Sequence, residues 1–128
     1  MFKDSHAFSS FAVDDVGRVR TFYAETLGLE VEDLEMPGGL LSLHLAGGGT
    51  VMIYPKPDFQ PATYTVLSFP VGDVDAAVDQ LVAAGVTMEH YDGFDQDDKG
   101  VARGDVGPAI AWFKDPVGNI LAVLEQDG

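Results

Sequence analysis

The chain spells out one pattern twice, and this repetition limits the folds open to it more than any single motif does. Val13-Asp14-Asp15-Val16 opens a helix-like run ending Thr26-Leu27-Gly28-Leu29, and Val71-Gly72-Asp73-Val74 opens another ending Ala84-Gly85-Val86. Each copy begins with an apolar alternating segment, sets an aspartate where a helix N-cap belongs, and stops the helix at glycine. Self-similarity at such a period marks two copies of one supersecondary unit. Two units of this kind face each other across a groove, so the repeat predicts a place for a ligand.

The rest of the chain fits the same plan. Residues 5–13 read as a strand, with Phe11 and Val13 on one face and Phe8, Ser10 and Ala12 on the other. Asp14 or Asp15 caps a helix to about residue 27, with Val16, Val19, Phe22, Tyr23 and Leu27 at helical spacing. Gly28 takes the C′ position. Residues 30–36, 40–46 and 50–54 read as strands parted by Pro37-Gly38-Gly39 and Gly47-Gly48-Gly49. Pro55, Pro57 and Pro61 then make a stiff, extended connection.

The second copy predicts a strand over 63–71 and a helix from Asp73 to residue 84, with Val74, Ala77, Val78 and Leu81 inward. Strands are expected over 86–91, 109–114 and 119–125, the last two joined by the tight turn Asp115-Pro116-Val117-Gly118-Asn119. The expected class is α+β, as two βαβββ modules over about 5–55 and 63–126. A linker over 55–62 joins them within one domain of 128 residues.

Charge and composition remove several function classes. Asp and Glu number 21 against 7 Lys and Arg, a formal charge of −14. Such a surface repels phosphate backbones and anionic lipid, so neither nucleic acid nor membrane is an expected partner. It attracts a cationic ligand, although acidity alone also serves solubility. Cysteine is absent, which excludes disulfides, thiolate metal sites and cysteine nucleophiles. No apolar run approaches the ~20 residues of a membrane span. The N-terminus lacks the basic and apolar regions of a signal peptide, and a cytoplasmic protein is expected.

The long acidic stretch from Asp92 to Asp105 reads as a lid or a loop of solvated charge. Its Asp95-Gln96-Asp97-Asp98 lacks the spacing and closing glutamate of a calcium loop.

Two segments carry a family resemblance. Phe22-Tyr23-Ala24-Glu25-Thr26-Leu27-Gly28-Leu29 and Trp112-Phe113-Lys114-Asp115-Pro116-Val117-Gly118-Asn119 resemble the helix end and final turn of the vicinal oxygen chelate superfamily. That group includes glyoxalase I, extradiol dioxygenases, fosfomycin-resistance enzymes and bleomycin-resistance proteins. The resemblance implies mixed, strongly curved sheets forming a half-barrel cleft, and pairing of chains into a homodimer.

In metal-using members, His, Gln or Glu from four strands hold a divalent ion. The matching positions here are Phe8, Met52, Val66 and Ala122. None offers an imidazole or hard oxygen donor. A one-residue slip brings Ala7 or Ser9, Val51 or Ile53, Thr65 or Leu67, and Leu121 or Val123, and rebuilds no metal shell. No metal and no cofactor are expected.

His6, His44 and His90 lie on three different predicted strands without metal-binding spacing, and read as structural. Glu89 and His90 are adjacent strand residues and point to opposite faces. No nucleophile–base arrangement stands out. Phe8, Met52, Tyr54, Val66, Trp112, Ala122 and Leu124 share a face, and Ser10 and Ser68 add matching hydroxyls facing the groove. These nine residues are the candidate ligand-binding set: a concave, aromatic-walled pocket with a few polar groups. Tyr54 and Trp112 each bring a polar tip that wants a partner.

The expected function is metal-independent binding of a small molecule. An apolar or cationic aromatic ligand would be sequestered as in the bleomycin-resistance branch. One alternative is a divalent-metal-dependent lyase, isomerase or dioxygenase built on His6, His44 and Glu125. Another is an interaction module with no small ligand.

Overall fold

The computed structural model describes residues 1–104 and 107–126. It divides into two compact units, Met1–Gln60 and Pro61–Gly128, parting at the end of the proline-bearing stretch. Among the described residues no helix is long and apolar enough to cross a membrane.

The first unit runs β1 (Ser9–Val13), α1 (Val16–Thr21), a π-helical turn (Phe22–Thr26), β2 (Glu30–Leu34), β3 (Leu40–His44) and β4 (Thr50–Pro55). Its sheet has the order β1-β4-β3-β2, with β1 parallel to β4 and the other pairs antiparallel. This is the βαβββ order expected. Asp15 is the N-cap, accepting from the Gly17 N–H at 2.8 Å, while Asp14 pairs with Arg18.

The helix does not stay α-helical to residue 27. Its last turn widens, with the Leu27 N–H donating to the Phe22 carbonyl at 2.9 Å, and Tyr23 there is fully buried. The Tyr23 ring meets Phe22 edge-on at 5.1 Å and Phe11 at 6.0 Å. Phe11, Val13, Leu41, Leu43 and Ile53 bury one sheet face with Val19 and Tyr23. Alternation along the strands sends Ser10 and Met52 to the other face.

The second unit runs β5 (Thr65–Val71), α2 (Val74–Ala83), β6 (Ile110–Lys114) and β7 (Ile120–Glu125), with sheet order β5-β7-β6 and β5 parallel to β7. Asp73 caps α2 by accepting from the Ala76 N–H at 3.1 Å. Val74, Val78 and Leu81 bury the helix face that packs on β6 and β7. The repeat holds at both helix ends: Gly28 and Gly85 take φ of 72° and 93°. Leu29 N–H donates back to Tyr23, and Val86 N–H to Leu81.

The strand expected over 86–91 is not formed. Only an isolated bridge, Met88 opposite Phe113, marks its place, and the Glu89 N–H reaches the Trp112 carbonyl at 2.9 Å. The next N–H that a ladder would direct to β6, that of Tyr91, goes to the Gln96 side-chain oxygen at 2.7 Å. A side chain five residues away therefore ends the pairing. At its other end the β6 edge is covered by Ala102, paired with Ile110 through bonds of 2.8 and 3.1 Å. Among the described residues the unit thus has three strands and a covered edge.

The acidic stretch is also more ordered than a loop of solvated charge. Gln96 donates to the carbonyls of Glu89 (3.0 Å) and Gly100 (2.7 Å), and the Asp97 carboxylate accepts from the N–H groups of Lys99 and Val101, each at 2.9 Å. Lys99 reaches Asp79 at 2.9 Å and Arg103 Nη2 donates to the Asp75 carboxylate, so the hairpin is tied to α2. Asp105 lies outside the described residues. Gly100 is buried at φ 90°, where a Cβ would stand 3.3 Å from the Glu89 carbonyl oxygen. Only glycine suits that position.

The Asp115–Asn119 turn is structural. Asp115 accepts from the N–H groups of Val117 (3.1 Å) and Asn119 (2.9 Å), and Asn119 accepts from Ala62 N–H at 3.1 Å. Both polar side chains are buried.

Candidate functional site

The second unit's sheet lays Trp112 opposite Ala122, and Ala122 opposite Ser68. Trp112, Ala122 and Ala102 form a small buried cluster against which Tyr91, Ile110 and Ile120 pack. Past the Met88 bridge, the chain turns through Tyr91-Asp92-Gly93-Phe94, closed by Phe94 N–H to the Tyr91 carbonyl at 3.4 Å. This turn brings two rings to the indole. Tyr91 stands edge-on at 5.7 Å and Phe94 lies tilted by 50° at 4.8 Å, distances suited to attractive ring pairs.

A cavity of about 410 Å³ opens beside these rings, its lining completed by Thr63, Tyr64, Thr65 and Ile120. That volume suits a small organic molecule. Trp112 is only 8% exposed, whereas Phe94 is 54% and Tyr64 69% exposed. The site therefore has a buried aromatic floor and an open aromatic rim.

Thr65 joins it through a strand irregularity. β5 pairs Thr65 with Ile120 and Leu67 with Leu121, so Val66 is skipped in the register. An extra residue of this kind re-aims the side chains on one side of it.

The Tyr91 hydroxyl is buried and has no hydrogen-bond partner among the described residues. Burial, and secondly the nearby Glu89 charge, push this phenol above the usual tyrosine range. It remains protonated, and able to donate, at neutral pH.

The residues singled out from sequence fall into two sets. In the first unit Ser10 faces Met52 across the β1–β4 pair, Tyr54 faces Ala12, and Phe8 precedes β1 and is 58% exposed. In the second unit Ser68, Ala122 and Trp112 share one row, Leu124 lies opposite Ile110 and Pro70, and Val66 falls at the skipped position. Of the nine, Trp112 alone lines the cavity. Sequence reasoning passed over Thr63, Tyr64, Thr65, Tyr91, Phe94 and Ile120. A usable signal was there: Tyr91 and Phe94 flank Asp92-Gly93 in an acidic stretch with no apolar run to absorb them.

The donor set does not fit a metal. Phe8, Met52, Val66 and Ala122 carry no hard donor, and no three metal-binding side chains gather among the described residues. His44 stands 3.7 Å from Glu32, Glu125 accepts from Val74 N–H at 3.4 Å, and His6 is exposed. His90 borders a second cavity of about 610 Å³ beside α2, with the Lys99–Asp79 pair in its wall.

Comparison with known proteins agrees with this architecture. The model of the Glyoxalase/Bleomycin resistance protein/Dioxygenase superfamily matches residues 5–123. Similar solved structures include TnmS3, an antibiotic-binding protein from Streptomyces sp. CB03234, at 21% identity over 94% of this chain and 96% of that one, TM-score 0.70. The fosfomycin resistance protein FosX from Listeria monocytogenes is similar at 15% identity, over 94% and 92% of the chains, TM-score 0.68. Lactoylglutathione lyase from Agrobacterium tumefaciens is similar at 23% identity, over 94% and 93%, TM-score 0.68. At these identities the likeness is one of fold. No curated protein matches the sequence.

Proposed function

The chain belongs to the Glyoxalase/Bleomycin resistance protein/Dioxygenase superfamily, and on that premise we propose that it binds and sequesters a small aromatic molecule without a metal. One observation carries the reading: a buried Trp112 flanked by Tyr91 and Phe94 at 5.7 and 4.8 Å, walling a cavity of about 410 Å³. Ring stacking and apolar burial supply the affinity. The charge of −14 favours apolar or cationic aromatic ligands over anionic ones. A fold shared with an antibiotic-binding protein supports binding as its use. The reading includes a homodimer acting in the cytoplasm, an assembly supported by the family resemblance.

Trp112 is the only tryptophan, so its fluorescence reports on this cavity without ambiguity. Titration with a panel of neutral and cationic bicyclic and tricyclic aromatics should give saturable changes for some of them; silence from all would sink the proposal. Metal analysis of protein purified without chelators should find no stoichiometric divalent ion. Light scattering after size exclusion reads the assembly directly.

A further inference from the structure

We infer that the cavity beside α2 is a second ligand site, and that it takes a saturated hydrocarbon frame carrying an ammonium group. At about 610 Å³ it is roomier than the aromatic cavity, and the two share no lining residue. Val78 and Val82 form one row of α2, Asp79 and Ala83 the next, and Val86 and Met88 bring apolar surface from beyond the helix. Val78 and Met88 are buried, whereas Val82 is 55% exposed. The cavity therefore has a buried aliphatic floor and an aliphatic edge that a ligand can reach. No Phe, Tyr or Trp lines it, so a flat ring finds nothing to stack on and a saturated frame gains as much by burial.

Two independent features set the sign of the charge. The first is the lining itself, which holds Asp79, Asp98 and Lys99. Lys99 is already engaged, reaching Asp79 at 2.9 Å and Asp75 at 3.3 Å. Asp98 is exposed and, among the described residues, has no hydrogen-bond or ion-pair partner. One carboxylate is thus left over where solvent, and a ligand, can reach it. The second feature is the end of α2. This ten-residue helix closes at Ala84 with no basic side chain in its last turn, and Ala83 of that turn lines the cavity. A helix C-terminus carries partial negative charge and is stabilised by a cation beside it. The helix supplies none, and an ammonium in the cavity would. A carboxylate there would meet repulsion from both features.

The test uses three probes with one aliphatic cage and different charge: 1-adamantylammonium, 1-adamantanol and 1-adamantanecarboxylate. Because His90 also lines the cavity, titrations run at about pH 8, above the range where an imidazole ordinarily takes up a proton. Calorimetry reads affinity, and amide NMR shifts place the probe. The shifts should centre on residues 82–90 and leave the Trp112 indole N–H unmoved. At low salt the ammonium should bind at least about fivefold tighter than the alcohol, with the carboxylate weakest. Salt at about 0.4 M should cut that preference to about twofold. Asp98→Asn should cut it by about half and leave the alcohol's affinity unchanged. Glu35→Gln, which removes an exposed carboxylate of the first unit, should keep it. Val82→Ser should weaken all three probes by about two- to fivefold without changing their order.

Equal affinity for the three probes overturns the inference. So does a preference undiminished in Asp98→Asn, one equally diminished in Glu35→Gln, or a set of shifts centred on Tyr91 and Phe94 instead. Failure of all three probes to bind overturns it as well. In each case the reading of the aromatic cavity stands, because its aromatic probes and its Trp112 signal are separate.

Discussion

Arg103 sets one guanidinium nitrogen, Nη2, against both oxygens of the Asp75 carboxylate, at 2.6 and 2.7 Å, and so ties the 96–102 hairpin to the first turn of α2. A hydrogen bond between charged partners is roughly twice as strong as a neutral one. Yet the side chains remain 44% and 42% exposed, which places the effect on the hairpin rather than on the whole unit. Arg103→Gln should speed amide exchange across residues 96–101 by roughly tenfold while moving the melting temperature by less than about 2 °C.

Acid should loosen the same attachment. Hydrogen bonding from Arg103 holds the Asp75 carboxyl below the usual range, and the Val101 N–H does the same for Asp97. Groups depressed in the folded state contribute fully above the ordinary carboxylate value of about 3.9 and lose that contribution as pH falls through their lower folded values. Protection of residues 96–101, corrected for intrinsic exchange rates, should stay level from neutral pH to about 4.5 and fall below about 4. Asp75→Asn should lower the plateau and flatten the decline.

Phe94 offers a way to separate binding from folding. Its ring lies 4.8 Å from Trp112 but is 54% exposed, so little of the unit's stability depends on it. Phe94→Ala should lower unfolding free energy by only about 0.5–1.5 kcal/mol, the worth of its ring pair with Trp112. Its affinity for an aromatic probe such as coumarin should drop about three- to tenfold, the equivalent of one ring pair.

Gly100 gives the converse case, a residue outside the aromatic cavity's lining whose loss reaches the fold. With φ at 90° and the Glu89 carbonyl 3.3 Å from any added Cβ, Gly100→Ala should cost about 1–3 kcal/mol. A lowered urea midpoint with an unchanged slope would register it.

Much of the architecture was legible because its rules are local. Asp15 and Asp73 cap their helices through bonds to N–H groups two and three residues on, and Gly28 and Gly85 end them within a turn. The residues that failed to follow the reading answer to partners farther off. Strand 86–91 is lost because the Gln96 side chain takes the Tyr91 N–H, a competition invisible to alternation counting. The predicted helix end over 22–26 widens into a π turn where Tyr23 enters the core, which helical spacing does not distinguish from an α turn. Trp112 was found through its motif. Tyr91 and Phe94 were missed because loops of charged residues are discounted as sites, and here the charges hold the loop against α2.

The skipped residue in β5 separates two design tasks along one strand. From Leu67 onward the strand keeps step with β7 residue for residue. Ahead of the slip, Thr65 lines the cavity and stands outside the buried core. A lineage drifting by single substitutions can therefore reshape the cavity wall at Thr65 without first finding a compensating change in its interior.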